Sequence, residues 1–345
     1  MKESLAARWL ESCDLQVENI SIADPEPDQV QIKVGSAGIC GSDLHYVRGD
    51  KTVTLGAIPG HEIGGVISAV GSNVKHVQEG DMVGVEPVVR CGTCRYCMNG
   101  SYHVCHDRAI VGENFDGGMS EYVNTPGYTV FKAPQGFDAE LAAMAEPLAC
   151  SVYGLERVEL RFHETALIIG AGTIGLGALI NVKALGARAI IIARHPQQQK
   201  LARELGADEV LGDDDSGRKR LEELVKLDAI DLAIETVGGH GDTLNQALCS
   251  VRPLGRVLVL GVFFRPTVEF KSFQIMDRAI IGAVLYGNMS GKANYQMAME
   301  ILTDHGDAAR QLVTHRFGLE DVNQGFAAAL DKSQQSVKVH IQPGA

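Results

Sequence analysis

The chain has 345 residues, 45% of them hydrophobic and 21% charged, with 43 acidic side chains against 31 Lys and Arg and a formal charge of −12. That length accommodates more than one domain with its own core. No apolar run approaches the roughly 20 residues of a membrane helix, and the acidic balance would repel a phosphate backbone, which argues against a nucleic-acid partner.

The N-terminus scatters Lys2, Glu3, Arg8 and Glu11 and carries neither an apolar h-region nor a small-residue cleavage site, so a cytoplasmic location is expected. Of the eight cysteines, five fall at metal-ligand spacings, while Cys13, Cys150 and Cys249 stand apart, as in proteins of a reducing compartment. From residue 15 the chain reads as short strands broken at Asp24-Pro25-Glu26-Pro27-Asp28, where prolines preclude regular pairing. Val30-Gln31-Ile32-Lys33-Val34 alternates polar and apolar residues and delivers Cys40 at the end of a strand.

Residues 38–46 then read Gly-Ile-Cys-Gly-Ser-Asp-Leu-His-Tyr, and residues 59–62 read Pro-Gly-His-Glu. A thiol (Cys40) and an imidazole (His61) lie close to glycines, with carboxylates and a hydroxyl beside them. Cys and His suit zinc, and a catalytic zinc keeps three protein ligands with one position open, so a third ligand must come from elsewhere. Glycine-studded strands follow over residues 63–71 and 80–85, as in small distorted barrels. Cys91, Cys94, Cys97 and Cys105 can close an all-thiolate tetrahedral site without an open position, which is a structural zinc site.

Near residue 150 the texture changes to alternating β and α. Thr165-Ala-Leu-Ile-Ile169 is a buried-type strand, Gly170-Ala-Gly172-Thr173-Ile174-Gly175 follows, and residues 176–185 read as a helix before a second strand over 189–193. Strand, glycine fingerprint and helix in that order point to dinucleotide binding, with backbone at Gly172 near the pyrophosphate and the helix N-terminus behind it. Helices over 197–205, 218–227 and 242–251 alternate with strands over 209–211, 229–235, 256–261 and 279–283. The whole predicts a doubly wound parallel sheet over residues 150–287. The aspartates 213–215 read as a solvated loop, and Arg218-Lys219-Arg220 as an exposed first helical turn. A helix over 292–305 and a short strand over 336–341 break the rhythm and are expected to return to the first domain, residues 1–149 and 288–345.

The order of motifs resembles the zinc-dependent medium-chain alcohol and polyol dehydrogenases, in the branch of sorbitol and threonine dehydrogenases. The likeness rests on the Cys40 and His61 segments, the four-cysteine lobe, Asp116-Gly-Gly118 before Glu121-Tyr122, Glu146-Pro147-Leu148 and the glycine turn. It implies an α/β architecture: a GroES-like β-rich catalytic domain joined to a Rossmann domain, with the zinc site in the cleft between them. It also implies that Cys40 and His61 bind catalytic zinc and that the four cysteines bind structural zinc. Ethanol-oxidising relatives place a cysteine at the position of Glu146, whereas the polyol branch resembles this chain, and there either Glu146 or Glu62 completes the shell. The resemblance further implies Ser42 as first proton acceptor and His45 as outer relay, the residue type suited to proton shuttling near neutral pH. Asp43 is expected to steady the zinc-binding imidazole or pair with a cation near the cofactor. Lys338 matches a C-terminal basic position directed at the same region and is expected among the cofactor contacts.

The fingerprint expects a carboxylate about 20 residues beyond the glycines for the adenosine ribose. Here that position is Arg194, and residues 176–203 contain no carboxylate. A guanidinium forks onto a 2′-phosphate, which favours NADP(H) over NAD(H); stacking on adenine would admit either cofactor. The expected reaction is hydride transfer between a secondary alcohol, a polyol or sugar alcohol, and the nicotinamide. A simple alcohol, diol or threonine dehydrogenase is the same-class alternative, and a non-catalytic nucleotide-responsive binding protein the alternative from another class. Tyr46, Phe115 and Met119 stand between pocket lining and core. The chain lacks the long insertion before the cysteine lobe carried by dimeric animal ethanol dehydrogenases, so the resemblance implies a homo-tetramer.

Overall fold

Thr165–Ile169 is a strand whose four apolar residues are buried, as a strand covered by helices on both faces requires. It sits inside a six-stranded, wholly parallel sheet in the order Glu209–Gly212, Arg188–Ala193, Thr165–Ile169, Leu232–Glu235, Arg256–Val259, Ala279–Gly282. The strand order reverses beside Thr165–Ile169, and sheets of this kind take ligands outside the carboxyl ends of the strands at that point. Leu167, Ile169, Ile190, Ala233, Leu248 and Val257 share the core beneath. The expected strands are all present. The 229–235 strand begins later, at Leu232, after Asp231 has used its carboxylate to accept from Thr165 N at 2.8 Å.

The computed structural model describes residues 2–11, 13–264, 267, 269 and 272–344. They fall into two compact units: Met1–Glu146 with Gly287–Gly306 and Val313–Ala345, and Pro147–Tyr286 with Asp307–Leu312. The first unit is built on a seven-stranded sheet in which Gln29–Gly38 pairs with Glu62–Val70, Tyr122–Pro126 and the C-terminal Lys338–Gln342. The end of the chain therefore returns to the first sheet. Gly64 is needed in its strand because a Cβ would lie 1.9 Å from Ala139 O; a bare backbone lets the short helix Ala139–Ala143 seat directly on the sheet.

Two elements lie outside the sequence expectation. Lys2–Trp9 pairs antiparallel with Leu15–Ile22, burying Ala6, Ala7 and Trp9, a strand whose small alanines hide its alternation. The helix Gly41–Val47 starts on poor helix formers. It is held at its start by Asp43, whose Oδ2 accepts from Cys40 N at 2.9 Å. Among the described residues no helix is long and apolar enough to cross a membrane.

Candidate functional site

The strand Gln29–Gly38 and the strand Glu62–Val70 pair so that Gly38 faces Glu62. Ile39 N donates to Val339 O at 2.9 Å, and Cys40 becomes the N-cap of Gly41–Val47. The register thus brings Cys40, His61 and Glu62 together, with one ligand atom of each within 4.8 Å of the others. Gly38 leaves room for the Glu62 carboxylate, since a Cβ there would lie 1.9 Å from Oε2. Both Glu62 oxygens accept from Lys338 Nζ at 2.6 Å, and the same ammonium donates to Ile39 O at 3.0 Å.

The charges around this point are strongly coupled. Burial raises the Asp43 carboxyl, with His61 pulling the other way. Burial pushes His61 down, but Asp43 and Cys40 outweigh it and hold the imidazole well above its usual range. Glu146, 3% exposed in the helix Ala145–Val158, acts electrostatically on both His61 and Lys338. It belongs to the charge cluster, although the tight ligand set among the described residues is Cys40, His61 and Glu62. Three buried polar atoms here have no hydrogen-bond partner among the described residues: Ser42 Oγ, Asp43 Oδ1 and His61 Nδ1. The last two face each other at 3.7 Å. A thiol, an imidazole and a carboxylate converging beside an orphaned hydroxyl fit a zinc ion, since these are its catalytic donor types. Ser42 and His45 lie three apart on one helix, and therefore on one face. His45 Nδ1 lies 2.7 Å from Asp50 Oδ2.

The four-cysteine lobe forms a second cluster, with Sγ separations of 3.5 Å (Cys94–Cys97), 3.5 Å (Cys91–Cys105), 3.8 Å (Cys94–Cys105) and 3.9 Å (Cys91–Cys97). A tetrahedron with Zn–S bonds of about 2.3 Å has edges of about 3.8 Å, so the sulfurs already stand where a zinc ion would hold them. Cys91 is lowered to about 6 by N–H groups of Thr93 and Cys94, which favours the thiolate that metals bind. The lobe is anchored by Tyr102, whose hydroxyl donates to the fully buried Glu86. The Arg90 guanidinium lies over the Tyr102 ring at 3.8 Å.

Burial raises Glu86 to about 7, with Tyr102 and Arg90 pulling the other way. A carboxyl with a raised folded-state pKa stabilises the fold when protonated: the contribution is complete below the ordinary value of 4.5 and is lost as pH rises through about 7. The amount is on the order of 3 kcal/mol. Glu86→Gln is therefore expected to raise the melting temperature at pH 8 more than at pH 5. Parent and variant melting with the same pH dependence would place that dependence on other groups.

In the second unit, Gly170 has φ +100°, and Gly172 is the N-cap of the helix Thr173–Ala184. A Cβ on Gly175 would lie 2.0 Å from Gly170 O, whereas around Gly172 no described atom lies within 4 Å of that position. Gly175 is thus a packing glycine and Gly172 an open one, with backbone bare to an approaching group. A glycine N-cap offers no side-chain acceptor to the first helical N–H groups, the arrangement that suits a phosphate. Arg194 follows the strand Arg188–Ala193, with its side chain 78% exposed and Nε 3.9 Å from Asp213 Oδ2.

Asp213 lies beyond residues 176–203 in the chain and arrives beside Arg194 from the end of the neighbouring strand Glu209–Gly212. It also pairs with Arg218 at 3.5 Å, and Asp214 caps the helix Asp215–Lys226 through Gly217 N. Lys338 and the three residues left between pocket and core take the following places. Lys338 is 2% exposed, and its ammonium is engaged by Glu62 and Ile39 O. Met119, at 0% exposure, is core, while Phe115 is 52% exposed; Tyr46 packs on Trp9 with centroids 5.9 Å apart.

A family model described as "Alcohol dehydrogenase GroES-like domain" matches residues 26–135, and one described as "Zinc-binding dehydrogenase" matches residues 173–304. The sorbitol dehydrogenase of Bacillus subtilis is 31% identical, over 96% of this chain and 94% of its own length. The L-threonine 3-dehydrogenase of Deinococcus deserti is 31% identical, over 98% of this chain and 96% of its own. Among solved structures, a putative zinc-binding dehydrogenase from Sinorhizobium meliloti bound to NADP superposes with a TM-score of 0.89 at 27% identity, covering 99% of this chain and 100% of that one. Galactitol-1-phosphate dehydrogenase from Escherichia coli gives a TM-score of 0.87 at 26% identity, with coverages of 99% and 100%.

Proposed function

The chain belongs to the zinc-binding alcohol dehydrogenases, with a GroES-like domain and a Rossmann-type domain, and is a zinc- and NAD(P)-dependent alcohol or polyol oxidoreductase; from that premise we propose that its substrate is a polyol or sugar alcohol oxidised at a secondary hydroxyl. The observation that carries the site assignment is the convergence of Cys40, His61 and Glu62 beside the orphaned Ser42 Oγ.

In this reading Cys40, His61 and Glu62 hold the catalytic zinc, with Glu146 in the surrounding negative charge, and Cys91, Cys94, Cys97 and Cys105 hold the structural one. Bound zinc supplies Lewis acidity that eases loss of the hydroxyl proton, and the nicotinamide supplies the hydride acceptor. Ser42 Oγ accepts a hydrogen bond from the substrate hydroxyl and is the first stop for its proton. Asp50 at Nδ1 holds the His45 ring in the tautomer that presents Nε2 as the base, so His45 receives the proton from Ser42 and returns it to solvent. Asp43, facing His61 Nδ1, orients that ring for coordination through Nε2. Gly170, Gly172, Thr173, Ile174 and Gly175 cradle the pyrophosphate.

Arg194 favours NADP(H) by forking onto the 2′-phosphate. Asp213 beside it supports a second reading, in which NAD(H) is also accepted through the ribose hydroxyl. The exposed apolar edge of the parallel sheet, with Phe273 at 79%, Met276 at 60%, Val284 at 53% and Ile280 at 40% exposure, supports pairing with a second copy and a homo-oligomer, a tetramer by family resemblance. Thiols grouped at zinc geometry suit a reducing cytoplasm.

The test is a panel of sugar alcohols, diols, threonine and simple alcohols, assayed with NAD and with NADP and with or without chelator. Chelator-sensitive reduction that is fastest on a polyol is expected. A best substrate among simple alcohols or threonine would overturn the substrate assignment, and no turnover on any of them would overturn the proposed active site. Arg194→Asp is expected to shift the NADP-to-NAD preference by tenfold or more toward NAD, on the order of one lost charged hydrogen bond; unchanged preference would remove Arg194 from the ribose site.

A further inference from the structure

The strand Leu232–Glu235 lies beside Thr165–Ile169, with Glu235 paired to Ile169, so its last residue arrives at the same edge as the glycine turn. Glu235 is fully buried. Its Oε1 accepts three hydrogen bonds, from Val237 N at 2.8 Å, Gly238 N at 2.8 Å and Thr243 Oγ1 at 2.7 Å. Its Oε2 is buried with no partner among the described residues. Gly261 leaves room for that oxygen, because a Cβ there would lie 2.3 Å from it.

The segment that Glu235 holds is pressed onto the glycine turn. Thr236 N and Oγ1 both donate to Ile169 O, at 3.1 and 2.8 Å. Val237 Cγ2 would come within 2.6 Å of a Cβ on Gly170, so its methyl rests against that glycine, yet Val237 is 51% exposed. An isopropyl group half in solvent, fixed against the first glycine of a nucleotide fingerprint, is an apolar surface at the rim of the cofactor site. A carboxyl oxygen suits the anchoring task because it can accept several donors at once. Two successive backbone N–H groups aimed at one oxygen fix the direction in which Val237 points. Gly238 at φ +58° then turns the chain away, and its N–H would have no such acceptor without Glu235.

We propose that Glu235 is a positioning residue for the dinucleotide, holding Val237 against Gly170 as the apolar seat on which the bound cofactor rests. The proposal rests on the glycine turn being the cofactor site. Glu235 touches neither substrate nor cofactor; it acts through Val237.

The experiment titrates NADPH and NADH by fluorescence into the zinc-loaded parent, V237A, E235A and E235Q, alongside melting curves and steady-state kinetics. The parent must bind at least one of the two; if it binds neither, the cofactor reading and the proposal with it are overturned. V237A, which trims an exposed side chain, is expected to melt as the parent does and to raise the cofactor Kd about tenfold, as befits two lost methyl groups. Its KM for cofactor should rise while kcat at saturating cofactor stays within about twofold, a split that a general loss of structure would not produce. E235A is expected to weaken binding by tenfold or more. E235Q, whose amide oxygen can accept the same N–H groups, should bring Kd back to within about threefold of the parent. V237A binding both cofactors as tightly as the parent would overturn the proposal even if E235A fails to fold. A folded E235A with parental affinity, or E235Q binding no better than E235A, would also overturn it.

Discussion

Cys40→Ser is expected to lower kcat/KM by about a thousandfold or more and to leave one zinc per chain where the parent carries two. Each tenfold in rate is about 1.4 kcal/mol, and Lewis-acid assistance at a developing oxyanion supplies several. A serine hydroxyl at N-cap position 40 still caps the helix Gly41–Val47, so the fold survives and the loss is chemical. The measurement is metal content beside kinetics. The retained zinc belongs to the cysteine lobe, whose sulfurs are already set 3.5–3.9 Å apart. A Cys40→Ser protein that keeps two zinc ions and more than a tenth of parental activity would sink the assignment of the catalytic site.

Lys338→Met is expected to destabilise the protein by about 3–5 kcal/mol, the usual consequence of stranding one partner of a buried pair. Glu62 is 0% and Lys338 2% exposed, so the substitution strips the ammonium from both Glu62 oxygens inside the protein. Burial pushes the Lys338 ammonium toward neutrality, but Glu62 and Cys40 outweigh it and keep it charged. The variant should also bind zinc about 10- to 100-fold more weakly, because Lys338 holds a metal-binding carboxylate in place. A melting curve taken with chelator should show the larger drop, since a bound cation partly compensates the stranded charge. Adding Glu62→Gln to Lys338→Met should recover much of the stability and none of the metal affinity. Parental melting of Lys338→Met, with or without chelator, would mean that the ammonium is not the counter-ion of Glu62.

The features legible from sequence are those whose partners are close along the chain. Cys91, Cys94 and Cys97 share one short lobe, and their cluster could be read from spacing alone. Thr165–Ile169 and the Gly170–Gly175 turn are also local: a continuous apolar run followed by glycines that a tight turn needs. The strand Lys2–Trp9, by contrast, has its alternation masked by alanines, and only its pairing with Leu15–Ile22 reveals the buried face. Met119 looked equally suited to pocket and core until its burial against Gly60 decided for the core.

By itself the sequence determined the chemical inventory: a thiol and an imidazole set among glycines, a four-thiolate lobe, a glycine fingerprint between strand and helix, and hence the family. Only the tertiary structure decided the pairings. Lys338 reaches Glu62 across 276 residues, Asp213 comes to Arg194 from the next strand, and Glu235 governs the turn beside Gly170. The physical reason is that local pattern constrains which groups a segment can offer, whereas strand register and burial choose which charges must neutralise one another. That choice is made through space, by the cost of leaving a carboxylate or an ammonium dry and alone.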